Sequence, residues 1–249
     1  MLREERFEKI LKAARKNGKA DYETLAEQLD VSHDTIRRDI DTLCRNGLLV
    51  KVRGGAMLPS KNPLSFSQRK NFLTNGKNII ALKAQQFITD DVTLFFDGGT
   101  TNCSIASQIS DEISCRIITN NYAMVPLLSS KKNIELILTG GIYDTVNETV
   151  HGDHALQMIS EFVADVYFLG TCAIDPVHGI TAAFQHEAAV KRSMRKFAKR
   201  TIALANQEKL GSNDPFRICD IEDLQVILSD TAADSPLMHP YRGRGPLIV

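Results

Sequence analysis

Hydrophobic residues in the first fifty positions recur at intervals of three and four, which places them on one face of an α-helix. Three such stretches follow one another: "REERFEKILKAARKNG", "DYETLAEQLD" and "SHDTIRRDIDTL". Asp21 and Ser32 stand at the starts of the second and third stretches and are predicted to be their N-caps. In the third stretch, Ile36, Ile40 and Leu43 share one face and are predicted to be buried. The pattern predicts three short helices.

The stretch "GLLVKVRGGAM" follows and predicts a strand over Leu48–Val52 with a turn at Gly54-Gly55. Three helices and a β-wing are typical of a DNA-binding domain. If Ile36 points inward, Arg38 points away from the core and Arg37 lies on the flank. A recognition helix enters DNA through its N-terminal residues, so the two arginines are candidate DNA contacts. Alternatively, they pair with Asp34, Asp39 and Asp41 on a solvated surface.

From residue 78 onward the pattern changes to short, continuous apolar runs separated by stretches of helical character. The runs are "VTLFF", "RIIT", "IELILT", "VYFLG", "TIALA" and "LQVIL". Continuous apolar strands that alternate with helices predict a mainly parallel sheet covered on both faces. The fold class is therefore α/β, with a helical N-terminal domain.

Small and hydroxyl residues follow three of these predicted strands. They are "DGGTT" at 97–101, "TNN" at 119–121 and "TGG" at 139–141. Such residues expose backbone N–H groups at the entrance to the next helix, which suits an anion such as phosphate. Ligands of parallel sheets lie beyond the carboxyl ends of the strands. The pattern predicts a site for a small phosphorylated ligand.

Composition changes this picture little. The formal net charge is zero, although residues 1–58 hold twelve Lys/Arg against ten Asp/Glu. The five cysteines form no C-x-x-C pair, and no apolar run approaches the ~18–20 residues of a membrane-spanning helix. We expect a soluble, cytoplasmic protein with reduced thiols.

His151 and His154 have a spacing compatible with two metal ligands on one helical turn. No further ligand is evident nearby, so we expect neither metal nor cofactor.

The stretch "YETLAEQLDVSHDTIRRDIDTLCRNGLLVKVRGGA" resembles the DeoR family of bacterial transcription regulators. The resemblance implies a winged helix-turn-helix whose helix from about Ser32 to Arg45 lies in the major groove. It also implies a set of DNA-binding residues, without assigning each to a base or a phosphate. The set is Ser32, His33, Thr35, Arg37, Arg38, Arg53 and Gly54.

Residues 77–230 resemble the sensor domain of the same family, which looks like the sheet of ribose-5-phosphate isomerase and CoA transferase and senses phosphorylated sugars. The candidate effector contacts implied are Asp97, Gly98, Gly99, Thr100, Thr101, Thr119, Asn120, Gly140, Gly141, Lys191 and Lys209. Two positions depart from the family pattern. Gly99 stands where a serine is frequent, and Asn206 stands where an aspartate is common. The final stretch, "SPLMHPYRGRGPLIV", also departs from the usual last helix and strand.

We therefore expect a winged helix-turn-helix at 3–58, a linker at 59–76, an effector-sensing and oligomerisation domain at 77–230 and a tail at 231–249. The expected function is a DNA-binding transcription regulator and repressor, not an enzyme. Its expected partners are an operator in double-stranded DNA, a phosphorylated sugar or related metabolite, and further copies of itself in a homodimer or homotetramer. One alternative is a sugar-phosphate isomerase or transferase with a DNA-binding head, for which Asp97 and Glu187 are the available carboxylates. Another is a regulator whose sensor domain no longer binds a ligand.

Overall fold

The structure is a computed structural model that describes residues 3–17, 20–45, 49–52, 54–57, 65–70 and 73–249. The chain forms two compact units, Met1–Phe72 and Leu73–Val249. Within the described ranges, no helix is long and apolar enough to cross a membrane.

The first unit contains three helices packed on a small antiparallel sheet with the strand order β1-β3-β2. Its elements are α1 (Arg3–Asn17), β1 (Ala20–Asp21), α2 (Tyr22–Leu29), α3 (His33–Arg45), β2 (Val50–Val52), β3 (Gly55–Met57) and the short α4 (Phe66–Lys70). Ile10 of α1, Leu25 of α2 and Ile36, Ile40 and Leu43 of α3 are buried together in its core. The predicted helices and the inward face of the third are confirmed.

Side-chain caps fix where the second and third helices begin. The carboxylate of Asp21 accepts hydrogen bonds from the N–H groups of Glu23 and Thr24, at 3.1 and 3.3 Å. Ser32 Oγ accepts a hydrogen bond from the N–H of Thr35 at 3.2 Å. Both predicted N-caps are thereby confirmed. Of the predicted wing, Leu48 and Arg53 lie outside the described residues.

The second unit is built on a seven-stranded parallel sheet with the order β15-β14-β12-β9-β4-β5-β6. Its strands are β4 (Val92–Phe96), β5 (Cys115–Thr119), β6 (Ile134–Leu138), β9 (Val166–Gly170), β12 (Thr201–Ala205), β14 (Val226–Ser229) and β15 (Leu247–Ile248). Its helices are α5 (Thr74–Ala84), α6 (Thr100–Ser107), α7 (Val125–Leu128), α8 (Asp153–Ser160) and α9 (Gln185–Lys196).

Helices cover both faces of this sheet. Alternate residues of a strand point to opposite faces. Phe95 and Tyr167 accordingly belong to the core beneath α8 and α9. Leu94, Phe96 and Phe168 belong to the core beneath α5, α6 and α7. The predicted mainly parallel sheet with two covered faces is confirmed.

The strand order reverses next to β4. From β4 the chain proceeds to β5 and β6 on one side, whereas β9, on the other side of β4, leads to β12 and β14. Such a reversal opens a crevice at the carboxyl ends of the two central strands, where ligands of open α/β sheets bind. Asp97 follows β4, and Gly170 ends β9.

Two antiparallel elements lie outside the expectations from sequence. One is a hairpin of β7 (Ile142–Asp144) and β8 (Thr149–His151), and the other is a sheet of β10 (Ala173–Asp175), β11 (Gly179–Ala182) and β13 (Phe216–Cys219). Their strands have only three or four residues, too few to show an alternating pattern.

The segment 231–249, set apart as a tail from the sequence, packs into the second unit. Met238 and Tyr241 are buried, and β15 pairs in parallel with β14 at the sheet edge. The predicted linker, 59–76, likewise includes α4 and the first residues of α5.

Candidate DNA-binding and effector sites

Arg37 and Arg38 are exposed on α3, opposite its buried face. The acidic residues that follow them are engaged elsewhere. Asp39 forms an ion pair with Arg6 of α1 at 2.6 Å, and Asp41 forms one with Lys51 of β2 at 2.7 Å. In the described part of the chain, no acidic side chain pairs with Arg37 or Arg38. The interpretation of these arginines as members of surface ion pairs is therefore not supported.

The other predicted DNA-binding residues that the structure describes cluster at two places. His33 is exposed in the first turn of α3, and the hydroxyls of Ser32 and Thr35 are 2.9 Å apart. Gly54 lies in the turn between β2 and β3 with φ +80°, a conformation that favours glycine, and its carbonyl accepts a hydrogen bond from the N–H of Tyr22 at 3.1 Å. Arg53 lies outside the described residues.

Arg38 also lines a shallow groove of about 710 Å³. The other lining residues are Arg3, Asp41, Thr42, Cys44 and Lys51. Arg3 and Lys51 are therefore cations beside Arg38 that sequence reasoning missed. The periodicity of α3 does not point to them, because Arg3 lies at the start of α1 and Lys51 lies on the separate strand β2.

In the second unit, Asp97 is the centre of a buried network at the crevice between β4 and β9. Its carboxylate accepts hydrogen bonds from Tyr167 Oη at 2.5 Å, Asn102 Nδ2 at 2.8 Å, the N–H of Gly170 at 3.1 Å and Lys191 Nζ at 2.7 Å. The residue is 1% exposed. Four donors around one carboxylate are typical of an ionised group.

The electrostatics of this network centre on Asp97 and Lys191. Burial raises the pKa of Asp97, and the neighbouring ammonium opposes that rise. Burial also disfavours the charged form of Lys191, but the charges of Asp97 and Glu187 outweigh it and raise its pKa. Lys191 therefore keeps its charge, and its ammonium also donates to the carbonyl of Gly170 at 2.6 Å. With its oxygens occupied by internal donors, Asp97 is poorly placed to act as the base of an isomerase.

Hydrogen bonds connect the loop after β5 to the loop after β4 beside this network. Thr119 Oγ1 accepts a hydrogen bond from the N–H of Asn121 at 3.0 Å, and Asn121 Nδ2 donates to the carbonyl of Gly99 at 3.2 Å. Thr100 and Thr101 are buried in the first turn of α6, which begins without a side-chain cap. The first N–H groups of α6 consequently lie where the sequence predicts an anion.

Three buried side-chain acceptors in the loops and the helix that follow these strands have no hydrogen-bond partner among the described residues. They are Asn102 Oδ1, Asn120 Oδ1 and Thr139 Oγ1. The hydrogen bonds that the two amides donate fix their orientations. Asn102 Nδ2 donates to the carboxylate of Asp97, and Asn120 Nδ2 donates to the carbonyl of Val150 at 2.8 Å. Unpaired buried acceptors are costly. Hydroxyl groups of a ligand would supply the missing donors.

The remaining predicted effector residues lie around the same end of the sheet. Gly98 is close to Thr149, whose methyl carbon would be 2.4 Å from a Cβ at that position. Gly140 and Gly141 are exposed after β6, and a Cβ on Gly141 would lie 2.3 Å from the carbonyl oxygen of His151. Lys209 is half-buried in the turn after β12, two strands from β4.

Asn206, where the family pattern commonly has an aspartate, is buried after β12. Its Nδ2 lies 3.4 Å from Asp230 Oδ2, and its Oδ1 has no partner in the part of the chain described.

The structure does not place the two histidines of "HGDH" on one helical turn. His151 ends β8, whereas His154 belongs to α8. The ring of His151 instead contacts that of His186, with the ring centroids 4.2 Å apart. Among the described residues there is no cluster of three or more side chains able to hold a metal ion.

Sequence reasoning missed several residues at the candidate effector site. Asn102 directly follows the predicted "DGGTT" loop, so its position was a usable signal. Tyr167 gave no signal, because it lies within a continuous apolar run and looks like a core residue. Thr149 and His186 gave none either, because they reach the site through elements that are distant in the sequence.

A domain of three helices and a small antiparallel sheet with exposed arginines on its third helix, together with a parallel α/β unit whose crevice is lined by polar groups, is typical of a ligand-responsive DNA-binding regulator. Residues 6–62 match the DeoR-like helix-turn-helix domain, and residues 73–231 match the DeoR C terminal sensor domain. The chain belongs to the DeoR family of transcription regulators.

Several curated relatives match about nine-tenths of the chain. The HTH-type transcriptional repressor GlcR of Bacillus subtilis is 31% identical over 92% of this chain and 89% of its own length. The glycerol-3-phosphate regulon repressor of Escherichia coli is 29% identical over 92% of each chain. The L-fucose operon activator of Haemophilus influenzae is 28% identical over 90% of this chain and 91% of its own.

Two solved structures show a distant similarity, and this chain spans about half of the length of each. The eIF2B beta chain from Chaetomium thermophilum aligns with a TM-score of 0.47 and 12% identity, over 69% of this chain and 54% of that one. The ribose 5-phosphate isomerase A from Methanocaldococcus jannaschii aligns with a TM-score of 0.40 and 13% identity, over 53% and 52%.

Proposed function

We propose that the chain is a repressor that binds its operator through α3, with Arg37 and Arg38 as the main contacts. The observation that carries this proposal is that both guanidinium groups are exposed while the neighbouring Asp39 and Asp41 are paired with other cations. An arginine reads guanine through two hydrogen bonds or holds a phosphate. Ser32, His33 and Thr35 at the start of α3, and Arg53 and Gly54 of the wing, are proposed as supporting contacts.

The substitution Arg38→Ala tests this assignment. Genomic fragments captured by the immobilised protein supply the operator, and fluorescence anisotropy measures the affinity for it. We expect the variant to bind about 5- to 150-fold more weakly, since one good arginine contact contributes about 1–3 kcal/mol. We expect its melting temperature to stay unchanged, because the side chain is exposed and pairs with no acidic group that the structure describes.

The control is Lys12→Ala, which removes an exposed cation from α1 in the same unit. It should leave both the affinity for the operator and the melting temperature unchanged. If Arg38→Ala binds the operator as tightly as the control does, α3 is not the recognition helix.

We propose that a phosphorylated sugar or related metabolite binds the second unit at the carboxyl ends of β4, β5 and β6 and lowers the affinity for the operator. The proposed contacts include Asp97, Gly98, Gly99, Thr100 and Thr101. The others are Thr119, Asn120, Gly140, Gly141, Lys191 and Lys209. Support comes from the reversal of strand order beside Asp97, from the uncapped start of α6 and from the unpaired acceptors Asn102, Asn120 and Thr139. One relative is named a glycerol-3-phosphate regulon repressor, which is consistent with a phosphorylated ligand.

Thermal shift against a panel of sugar phosphates and nucleotides, followed by anisotropy with the operator, tests the effector proposal. A phosphate ester that stabilises the protein and also releases the DNA is the expected result. The corresponding free sugar is the matched control and should do neither. If no phosphate ester in the panel releases the DNA, either the sensor unit no longer binds a sugar phosphate, an alternative consistent with the departure at Asn206, or its ligand is a molecule outside the panel.

A single winged helix reaches only a few base edges, so we propose that the chain acts as a homodimer or homotetramer.

A further inference from the structure

The β7–β8 hairpin forms one wall of the proposed effector site. It is fixed to the end of β5, because the N–H of Val150 donates to the carbonyl of Asn120 at 2.9 Å and the N–H of Tyr122 donates to that of Glu148 at 3.0 Å. Thr149 and His151 lie on the same face of β8. Since Thr149 lies against Gly98, this face is directed towards the end of β4.

His151 contacts His186 at the start of α9, with the ring centroids 4.2 Å apart. His186 Nε2 lies 3.7 Å from Asp144 Oδ2, and the ring of Phe184 stacks on His186 with centroids 5.5 Å apart. The histidine pair is thus held between the hairpin and α9. The charged group that acts on the pair is Asp144 from β7. On α9, Glu187 directly follows His186, and Lys191 lies more than one turn further along. The titratable residues at the start of α8, Asp153 and His154, are exposed.

The positive charge of the buried lysine at this site is largely neutralised by carboxylates of the protein. Lys191 Nζ lies 2.7 Å from Asp97 and 3.6 Å from Glu187, and it also donates to the carbonyl of Gly170. The ammonium is therefore already balanced by carboxylates, and a dianion placed beside it would meet two negative side chains. A phosphate group at the N–H groups of α6 therefore gains little net attraction from Lys191, and a further cation beside it would strengthen its binding.

We propose that His151 and His186 together bind the anionic group of the effector, and that this binding draws a proton from solvent onto the pair. The proposal rests on the effector function proposed above. An imidazole gains its charge close to neutral pH. Burial and the neighbouring His186 lower the pKa of His151 and outweigh the opposing charge of Asp144, so without a ligand the neutral form is favoured. A dianion favours the charged form, so its affinity rises as the pH falls.

Sulfate is a suitable probe, because it stays dianionic across the pH range in which histidines titrate. Any pH dependence of its binding therefore reports groups of the protein. We would follow the imidazole resonances of the full-length protein by NMR in sodium sulfate and in sodium chloride of equal ionic strength. Sulfate should raise the pKa of His151 and bind about tenfold more tightly at about pH 6 than at about pH 8.

Two substitutions and a matched control locate the effect. His186→Asn and His151→Asn should each weaken sulfate binding at about pH 6 and abolish its pH dependence. His154→Asn removes an exposed histidine from the adjacent helix and should change neither. Thermal melts of the three variants establish that each one folds.

The proposal is overturned if sulfate binds equally at both pH values, if it binds at neither, or if the His186 and His151 variants behave like the control. These outcomes leave the effector function intact as long as a sugar phosphate still releases the operator. Conversely, pH-dependent sulfate binding without release of DNA by any phosphate ester would refute the effector function and retain the histidine site.

Discussion

Lys191 is only 1% exposed, and its ammonium group balances the negative charge of Asp97 in the crevice of the sheet. Substitution of Lys191 by Met keeps most of the side-chain volume but leaves the carboxylate buried without its cation. Breaking a buried pair in this way typically costs about 3–5 kcal/mol. We expect the free energy of unfolding of Lys191→Met, measured by urea denaturation, to fall by about that amount.

Lys199→Met is the matched control, because Lys199 pairs with Asp165 at the same distance of 2.7 Å but its side chain is 66% exposed. Exposed pairs contribute little, so its stability should hardly change. The double variant Asp97→Asn/Lys191→Met should recover part of the lost free energy of unfolding, because it also removes the unpaired buried carboxylate. Equal stability of the two lysine variants would show that the buried pair does not stabilise the fold.

At the scale of elements, the C-terminal segment depends on one aromatic anchor. Tyr241 is 1% exposed in the core beneath α9, and its hydroxyl donates to the carbonyl of Ile174 at 2.9 Å and accepts from the N–H of Gly211 at 2.8 Å. Tyr241→Ala should lower the free energy of unfolding by about 3–5 kcal/mol. Leu237→Ala, in the same segment but at a position 47% exposed, should stay within about 0.5 kcal/mol of the parent. If both variants match the parent in urea unfolding, the segment does not contribute to the core.

The elements visible in the sequence are those whose pattern is local. The faces of α3 follow from the spacing of Ile36, Ile40 and Leu43, and buried parallel strands such as β4 and β12 appear as continuous apolar runs. The β7–β8 hairpin shows neither signal, because its strands are short and it is held by the loop after β5. The Asp97–Lys191 contact joins residues 94 positions apart, a pairing that only the topology of the sheet produces.

At the scale of the whole molecule, equal numbers of basic and acidic residues leave no net formal charge. We therefore expect attraction to DNA to come from local surfaces such as that proposed on α3, and specificity to require more than one copy of it. We expect protection of two operator half-sites, about 10 base pairs or a multiple of that apart. Inserting about 5 base pairs between them turns one half-site to the opposite face of the duplex and should weaken binding by about tenfold or more.

An insertion of about 10 base pairs is the matched control, since it restores the rotational alignment and changes only the distance. Affinity for this operator should recover at least in part, because both copies again face the same side of the duplex. In the Arg38→Ala variant, all three operators should bind weakly, because each half-site loses its main contact. Equal affinity of the parent protein for all three operators would mean that each copy binds independently. Regulation would then have to act on a single winged helix rather than on the alignment of two.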